Sequence, residues 1–264
     1  MNYMGGKHRQ GPKIAEKIME VWKPGMGYYE PFCGALGAAH RVAGAMMAVG
    51  AKSPTIGLSD SNESVINMWK AVFGGWVPPD AVPESLYNEI KGVRDPANPL
   101  TAYVGYGMSF GSKWFGGYAR NGKGTNYALN AQRSVLLKAS VLFKASVLLK
   151  ASVLLKASVL FKACDYREVT PSNAVMYLDP PYEGRTKAHG VLFDHTAFWC
   201  YAEAMVRNNV VLITEFKPRT GWVKIHDWGD TVIRHHSGKT PDGTTEAIFV
   251  HESQQWLFPL MGEP

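Results

Sequence analysis

A carboxylate, two residues without a backbone N–H and a phenol follow one another at Asp179, Pro180, Pro181 and Tyr182, directly after the apolar run "VMYL". Proline donates nothing to a sheet ladder, so a buried strand must stop near Leu178 and give way to a turn. Many strands end in an Asp-Pro turn with a purely structural task, and the tetrapeptide alone leaves that reading open. In "YYEPFCGALG", Glu30, Pro31, Phe32, Gly34 and Gly37 fall at a strand-to-helix turn. Glycines there permit close backbone approach to a ligand, and the following helix N-terminus supports binding, although such turns also serve packing alone. Asp60 closes the next strand, where an acidic residue takes the ribose hydroxyls of a nucleoside cofactor in a Rossmann-like sheet. No second spaced glycine precedes Gly34, which argues against a dinucleotide. "YMGGK", Tyr3 to Lys7, is either a Gly-rich lead-in or a backbone loop beside the same cofactor, with Lys7 supplying charge.

These residues need elements to hold them. An amphipathic helix is expected from about Gly11, and strand-turn-helix units over 26–49 and 54–73, with Asn62 capping a helix that carries Val65, Ile66, Trp69 and Val72. Residues 173–178 and 209–214 read as buried strands separated by the helix-like "DHTAFWCYAEAMVR". Two alternating runs around "KTPDGT" predict a β-hairpin near the end. Alternating strands and helices give an α/β, Rossmann-like sheet with a mostly parallel centre. Residues 76–125 break the rhythm with Pro, Gly and aromatics and predict an inserted, loop-rich subdomain with short helices near 84–93 and 99–105.

Residues 134–163 are five tandem hexapeptides, SVLLKA or SVLFKA. A six-residue step turns a helical side chain by 240°, so the lysines wind round the cylinder. In a strand, Val, the second Leu or Phe, and Ala share one face and Ser, Leu and Lys the other. Leu, Ala and Lys favour a helix from about 126 through the earlier copies. The last copy, "SVLFKACDY", is expected as a buried strand, so one hexapeptide serves two conformations. Five of the chain's lysines belong to this repeat. Lys+Arg exceed Asp+Glu by 28 − 22 = +6, but without those five lysines by 23 − 22 = +1, so global charge points to no partner. Composition is that of a soluble protein, no apolar run is long enough to span a bilayer, and three cysteines without metal-like spacing suit a reducing cytoplasm.

"YMGGK", "EPFCGALG", "LSD", "ACDY" and "LDPPY", in that order, resemble the Dam-like amino-group DNA methyltransferases of the alpha arrangement. The resemblance covers residues 1–75 and 158–252, the expected catalytic core; it leaves 76–133 as a target-recognition subdomain and 134–163 as the repeat. It implies S-adenosylmethionine as methyl donor, contacted by Tyr3, Gly6, Lys7, Glu30, Pro31, Phe32 and Gly34. Asp60 would bind its ribose and Asp165 its adenine amino group, with Phe32 and Tyr166 against the ring or in ordinary core roles. The sulfonium already carries a good leaving group, so the protein's task is to present an exocyclic amine. In the catalytic turn Asp179, Pro180, Pro181 and Tyr182, Asp179 and the Pro180 carbonyl would accept the two amine hydrogens. Tyr182 would stack on a base extruded from double-stranded DNA. No metal is required.

The stretch "GYGMSFGSKWFGGYARNGK" interleaves Tyr106, Phe110, Trp114, Phe115 and Tyr118 with Lys113, Arg120 and Lys123, a pattern for duplex contact or for aromatics packed inward. Arg185 and Lys187, after the catalytic turn, would hold phosphates. Two departures from Dam proper remove any implication of GATC specificity: Asn2 stands where its target-reading lysine would be, and the recognition stretch lacks the arginine and asparagines around "FN". The expectation is a monomeric, cytoplasmic adenine-N6 DNA methyltransferase of mobile-element or phage origin, with or without a restriction-modification nuclease. The alternatives are a cytosine-N4 enzyme and an inactive DNA-binding or repeat-assembly protein on the same fold.

Overall fold

The computed structural model describes residues 1, 3, 5–51, 54–120, 124–148, 158–183, 193–217, 219–228 and 245–258. Its centre is one seven-stranded sheet in the order β3-β2-β1-β4-β5-β7-β6. The strands are β1 (Gly27–Glu30), β2 (Thr55–Asp60), β3 (Ser158–Ala163), β4 (Ala174–Leu178), β5 (Asn209–Glu215), β6 (Trp222–Asp227) and β7 (Ala247–His251). The first five are parallel to one another, whereas β7 runs antiparallel to both β5 and β6. This is an α/β, Rossmann-like arrangement whose strand order reverses beside β1, where β2 lies on one side and β4 on the other.

Period-two alternation builds the two faces. Val175 and Tyr177 of β4, Leu212 of β5, and Ile248 and Val250 of β7 join one buried cluster. Met176, Leu178, Val211, Ile213 and Phe249 join the other. The first face is covered by α1 (Gly11–Val21), α2 (Ala39–Ala48) and α3 (Glu63–Phe73), the second by α7 (His195–Val206). Asn62 caps α3 as its sequence predicts, accepting from Val65 N.

Between α3 and β3 the chain forms α4 (Glu84–Val93), α5 (Pro99–Gly107), a 3-10 turn at Phe110–Ser112 and the long α6 (Tyr127–Leu148). Tyr87, Ile90, Tyr103, Val104 and Tyr106 of this insertion belong to the same buried cluster as Ile14, Val42 and Trp69. The insertion and the sheet thus share one core. The first two hexapeptides and the start of the third continue α6, and the fifth is β3. Residues 149–157 lie outside the described residues.

The expected terminal hairpin is corrected in part. β7 is present, but its described partners are β5 and β6, the latter "WVKIHD", which pairs with a register shift between Lys224 and His226. The run proposed as its partner, 231–236, and the turn "KTPDGT" lie outside the described residues. No helix among the described residues is long and apolar enough to cross a membrane.

Candidate active site

Parallel strands present their carboxyl ends on one edge of the sheet, and five acids stand at those ends or just past them: Glu30, Asp60, Asp165, Asp179 and Glu215. β7 enters from the opposite direction, with Ala247 paired to Glu215, so its preceding residue Glu246 joins the same rim.

At the β1 end, the lead-in and the glycine turn lie against each other. A Cβ on Gly34, whose φ is +42°, would meet the Tyr3 ring at 2.9 Å, and one on Gly37 would meet the Lys7 backbone at 2.8 Å. The glycines that suggested close approach by a ligand are therefore used for close approach by the chain's own first residues. Gly6 N donates to Tyr3 O at 2.9 Å, and the Tyr3 ring packs on Tyr106 with centroids 4.4 Å apart. Pro31 is buried and Phe32 half-buried. Glu30 is buried and accepts from Tyr28 Oη at 2.7 Å; burial raises its pKa to about 8. Asp60 accepts from Gly34 N (3.0 Å) and Asn62 N (2.9 Å), and burial lifts it to about 6 against those two bonds. Beneath the turn, Lys138 of the first hexapeptide is buried and donates to Ala35 O at 2.6 Å.

At the β3 end, Asp165 caps a 3-10 turn, Tyr166–Glu168, in a reciprocal capping box with Glu168. Its carboxylate is also held by Arg167 through Nε (2.8 Å) and Nη2 (3.0 Å), which lowers its pKa. Lys162 of the last hexapeptide donates to Glu168 at 3.0 Å. Phe32 and Tyr166 stack on each other, centroids 5.3 Å apart, within a cluster that includes Phe193 and Phe198. The two rings touch each other, so a third ring can use only an outer face.

Asp179 emerges from β4, every residue of which is buried. Pro180 is buried and Pro181 half-buried. The structure places Lys7 here rather than at the Asp60 end. Lys7 is buried, with Nζ 2.7 Å from Asp179 Oδ1, 3.1 Å from Glu246 Oε1 and 3.0 Å from Gly5 O. Burial depresses the lysine's pKa, but the two carboxylates more than offset this and raise it. Tyr182 Oη lies 3.0 Å from Asp179 Oδ1 and in a shorter contact with Glu246 Oε1; its ring packs edge-on against Phe216. Burial pushes Asp179 up to about 6, with Lys7 pulling down and Glu246 pushing up. Chemically the corner is rich in acceptors, only partly exposed and, among the described residues, tied to the Lys7 ammonium.

The aromatic insertion folds mostly inward. Tyr106 and Phe115 are buried, Trp114 packs on both, and a Cβ on Gly105 would meet Trp114 and Phe115 at 2.6 and 2.8 Å. Phe115, expected at a duplex, has no free face. Phe110 at 55% exposure and Lys113 are on the surface. Arg120 is exposed and pairs with Glu84. Lys123, Arg185 and Lys187 lie outside the described residues. Sequence reasoning missed Glu246, Glu215 and Gln10, whose Nε2 donates to Glu246 Oε2 at 3.2 Å. Only the acid directly before the apolar run "AIFV" could have flagged the first.

No family model and no curated protein sequence matches the chain. Among solved structures, the rRNA methyltransferase aviRa from Streptomyces viridochromogenes aligns with 92% of this chain and 84% of its own, at 11% identity and a TM-score of 0.41. A second aviRa structure aligns over the same shares at 12% identity. SMU.472, described as a putative methyltransferase complexed with SAH, aligns with 90% of this chain and 51% of its own, at 13% identity and a TM-score of 0.35. The fold assignment rests on this chain's own strand order.

Proposed function

We propose that this chain transfers a methyl group from S-adenosylmethionine to the exocyclic amino group of adenine in double-stranded DNA. The observation that carries the reading is Asp179-Pro180-Pro181-Tyr182 on the carboxyl end of a central strand, with Asp179 partly buried beside a buried lysine. The donor's chemistry fits the neighbouring side chains. Asp60 spends one backbone bond on each oxygen, and a carboxylate oxygen has two lone pairs, so it retains acceptors for a ribose diol. The half-buried Phe32 offers a ring face for adenine, and Asp165 accepts an amine when Arg167 yields. Bound there, S-adenosylmethionine supplies an electrophilic methyl on a good leaving group, so the protein needs no nucleophile of its own.

The chain's part is to orient the amine. The nearest approaches of Lys7 and Tyr182 to Asp179 are both at Oδ1. Asp179 Oδ2 and the Pro180 carbonyl then accept the two amine hydrogens, which localises the nitrogen lone pair toward the methyl. Proline's missing N–H removes a competing donor. Tyr182 stacks on the extruded base and favours the positive charge that develops on nitrogen. Phe110 and Lys113, exposed on the insertion, are the residues offered to the duplex.

Incubation with labelled donor and unmethylated duplex, followed by nucleoside analysis, tests this. N6-methyladenine is expected, and Asp179→Ala should lower the rate about a thousandfold. N4-methylcytosine would change the base; label that survives Asp179→Ala would overturn the site.

A further inference from the structure

Glu246 is the acid that the sequence motifs do not reach, and it is built into the same corner. It is 5% exposed, ahead of a strand that runs against the parallel ones. Each of its oxygens is engaged: Oε1 faces Lys7 Nζ and Tyr182 Oη, and Oε2 accepts from Gln10 on the first helix's leading edge. Asp179 Oδ1 faces the same ammonium and the same phenol. Two carboxylates thus share one lysine and one tyrosine. The phenol has a single hydrogen to give, and its shorter contact is with Glu246.

We infer that Glu246 is a positioning residue for methyl transfer: by sharing Lys7 and Tyr182 with Asp179, it keeps the Asp179 carboxylate oriented and weakly enough engaged to accept the amine. The inference rests on the methyl-transfer reading above. Removing the charge of Glu246 leaves Lys7 to Asp179 alone, which tightens that pair and makes the carboxylate a poorer acceptor. The same change removes a like charge beside Asp179 and so lowers its proton affinity. The other groups near Asp179 are Lys7 and Tyr182, which Glu246 itself contacts, Tyr177 on β4, which feels its charge, Glu30 on β1 and Glu215 on β5.

The test compares the pH dependence of kcat in the wild-type protein and in Glu246→Gln, with Glu246→Asp as the conservative variant. In the wild type the acid limb should fall near pH 6, where Asp179 takes up a proton. In Glu246→Gln the limb should move down by about one unit, with plateau kcat reduced about tenfold. Glu246→Asp should restore much of both. An acid limb that does not move in Glu246→Gln overturns the inference. A 13C NMR titration of the Asp179 carboxyl in both proteins reads the same coupling without turnover. A wild type that transfers no methyl group therefore defeats the methyl-transfer reading, while the titration still decides whether Glu246 acts on Asp179.

Discussion

Residues 140–145 and 158–163 are the same hexapeptide, SVLFKA, yet the first lies within helix α6 and the second is strand β3. In the helix, Leu142 is fully buried and Phe143 is 54% exposed; in the strand, Leu160 is 52% exposed and Phe161 is packed against the core. Leucine and phenylalanine have exchanged roles. Both phenylalanines reach Phe73, edge to face, from different directions. Intrinsic propensity is identical in the two places, so neighbours decide. The second copy rests on α2 and α3, whereas the fifth aligns along the whole of β2, Thr55 opposite Ser158 through Asp60 opposite Ala163.

The sharpest way to break this comparison is to make one substitution twice. Leu142→Ala should cost about 3 kcal/mol, as for a buried leucine, and Leu160→Ala no more than about 0.5 kcal/mol, read from urea unfolding midpoints. Equal effects would mean that the two copies are not in these environments. The lysines give a smaller contrast. Lys138→Ala removes a buried charged donor from Ala35 O and should cost about 1.5 kcal/mol, whereas Lys144, exposed at the same repeat position, should tolerate alanine within about 0.5 kcal/mol. Smallest of all, deleting one central unit, residues 152–157, should leave the protein soluble with its melting temperature changed by only a few degrees. The fifth copy keeps its junction with Cys164 in that variant. Loss of soluble protein would show that copy number itself supports the core.

Much of the sheet was legible because its signals are local. Asn62 ahead of an apolar helical stripe, Pro99 at a helix start and the all-apolar run to Leu178 each specify an element without distant information. Strand β6 was not legible: "WVKIHD" interleaves lysine, histidine and aspartate on a shifted edge strand, and only pairing with β7 makes it a strand. Glu246 is mute for the same reason, since antiparallel entry alone carries it to the rim. Gly34, Gly37 and Gly105 were visible as glycines, but what crowds them is the chain itself: Tyr3, the Lys7 backbone, and the rings of Trp114 and Phe115.

The place of β3 has a kinetic consequence. Strand β2 offers a folding chain one vacant edge, and the chain offers that edge several near-identical hexapeptides. A shift by one unit preserves which side chains face inward, because six is even, so mispaired copies are not rejected by their pattern of faces. What singles out the fifth copy is its tether: Cys164 N bonds Asp60 O at 3.2 Å, and the Asp165 cap follows at once. Earlier copies bring no such anchor. Refolding should therefore pass through slipped pairings that dissolve and try again, a search whose duration grows with each added copy while the native structure stays the same.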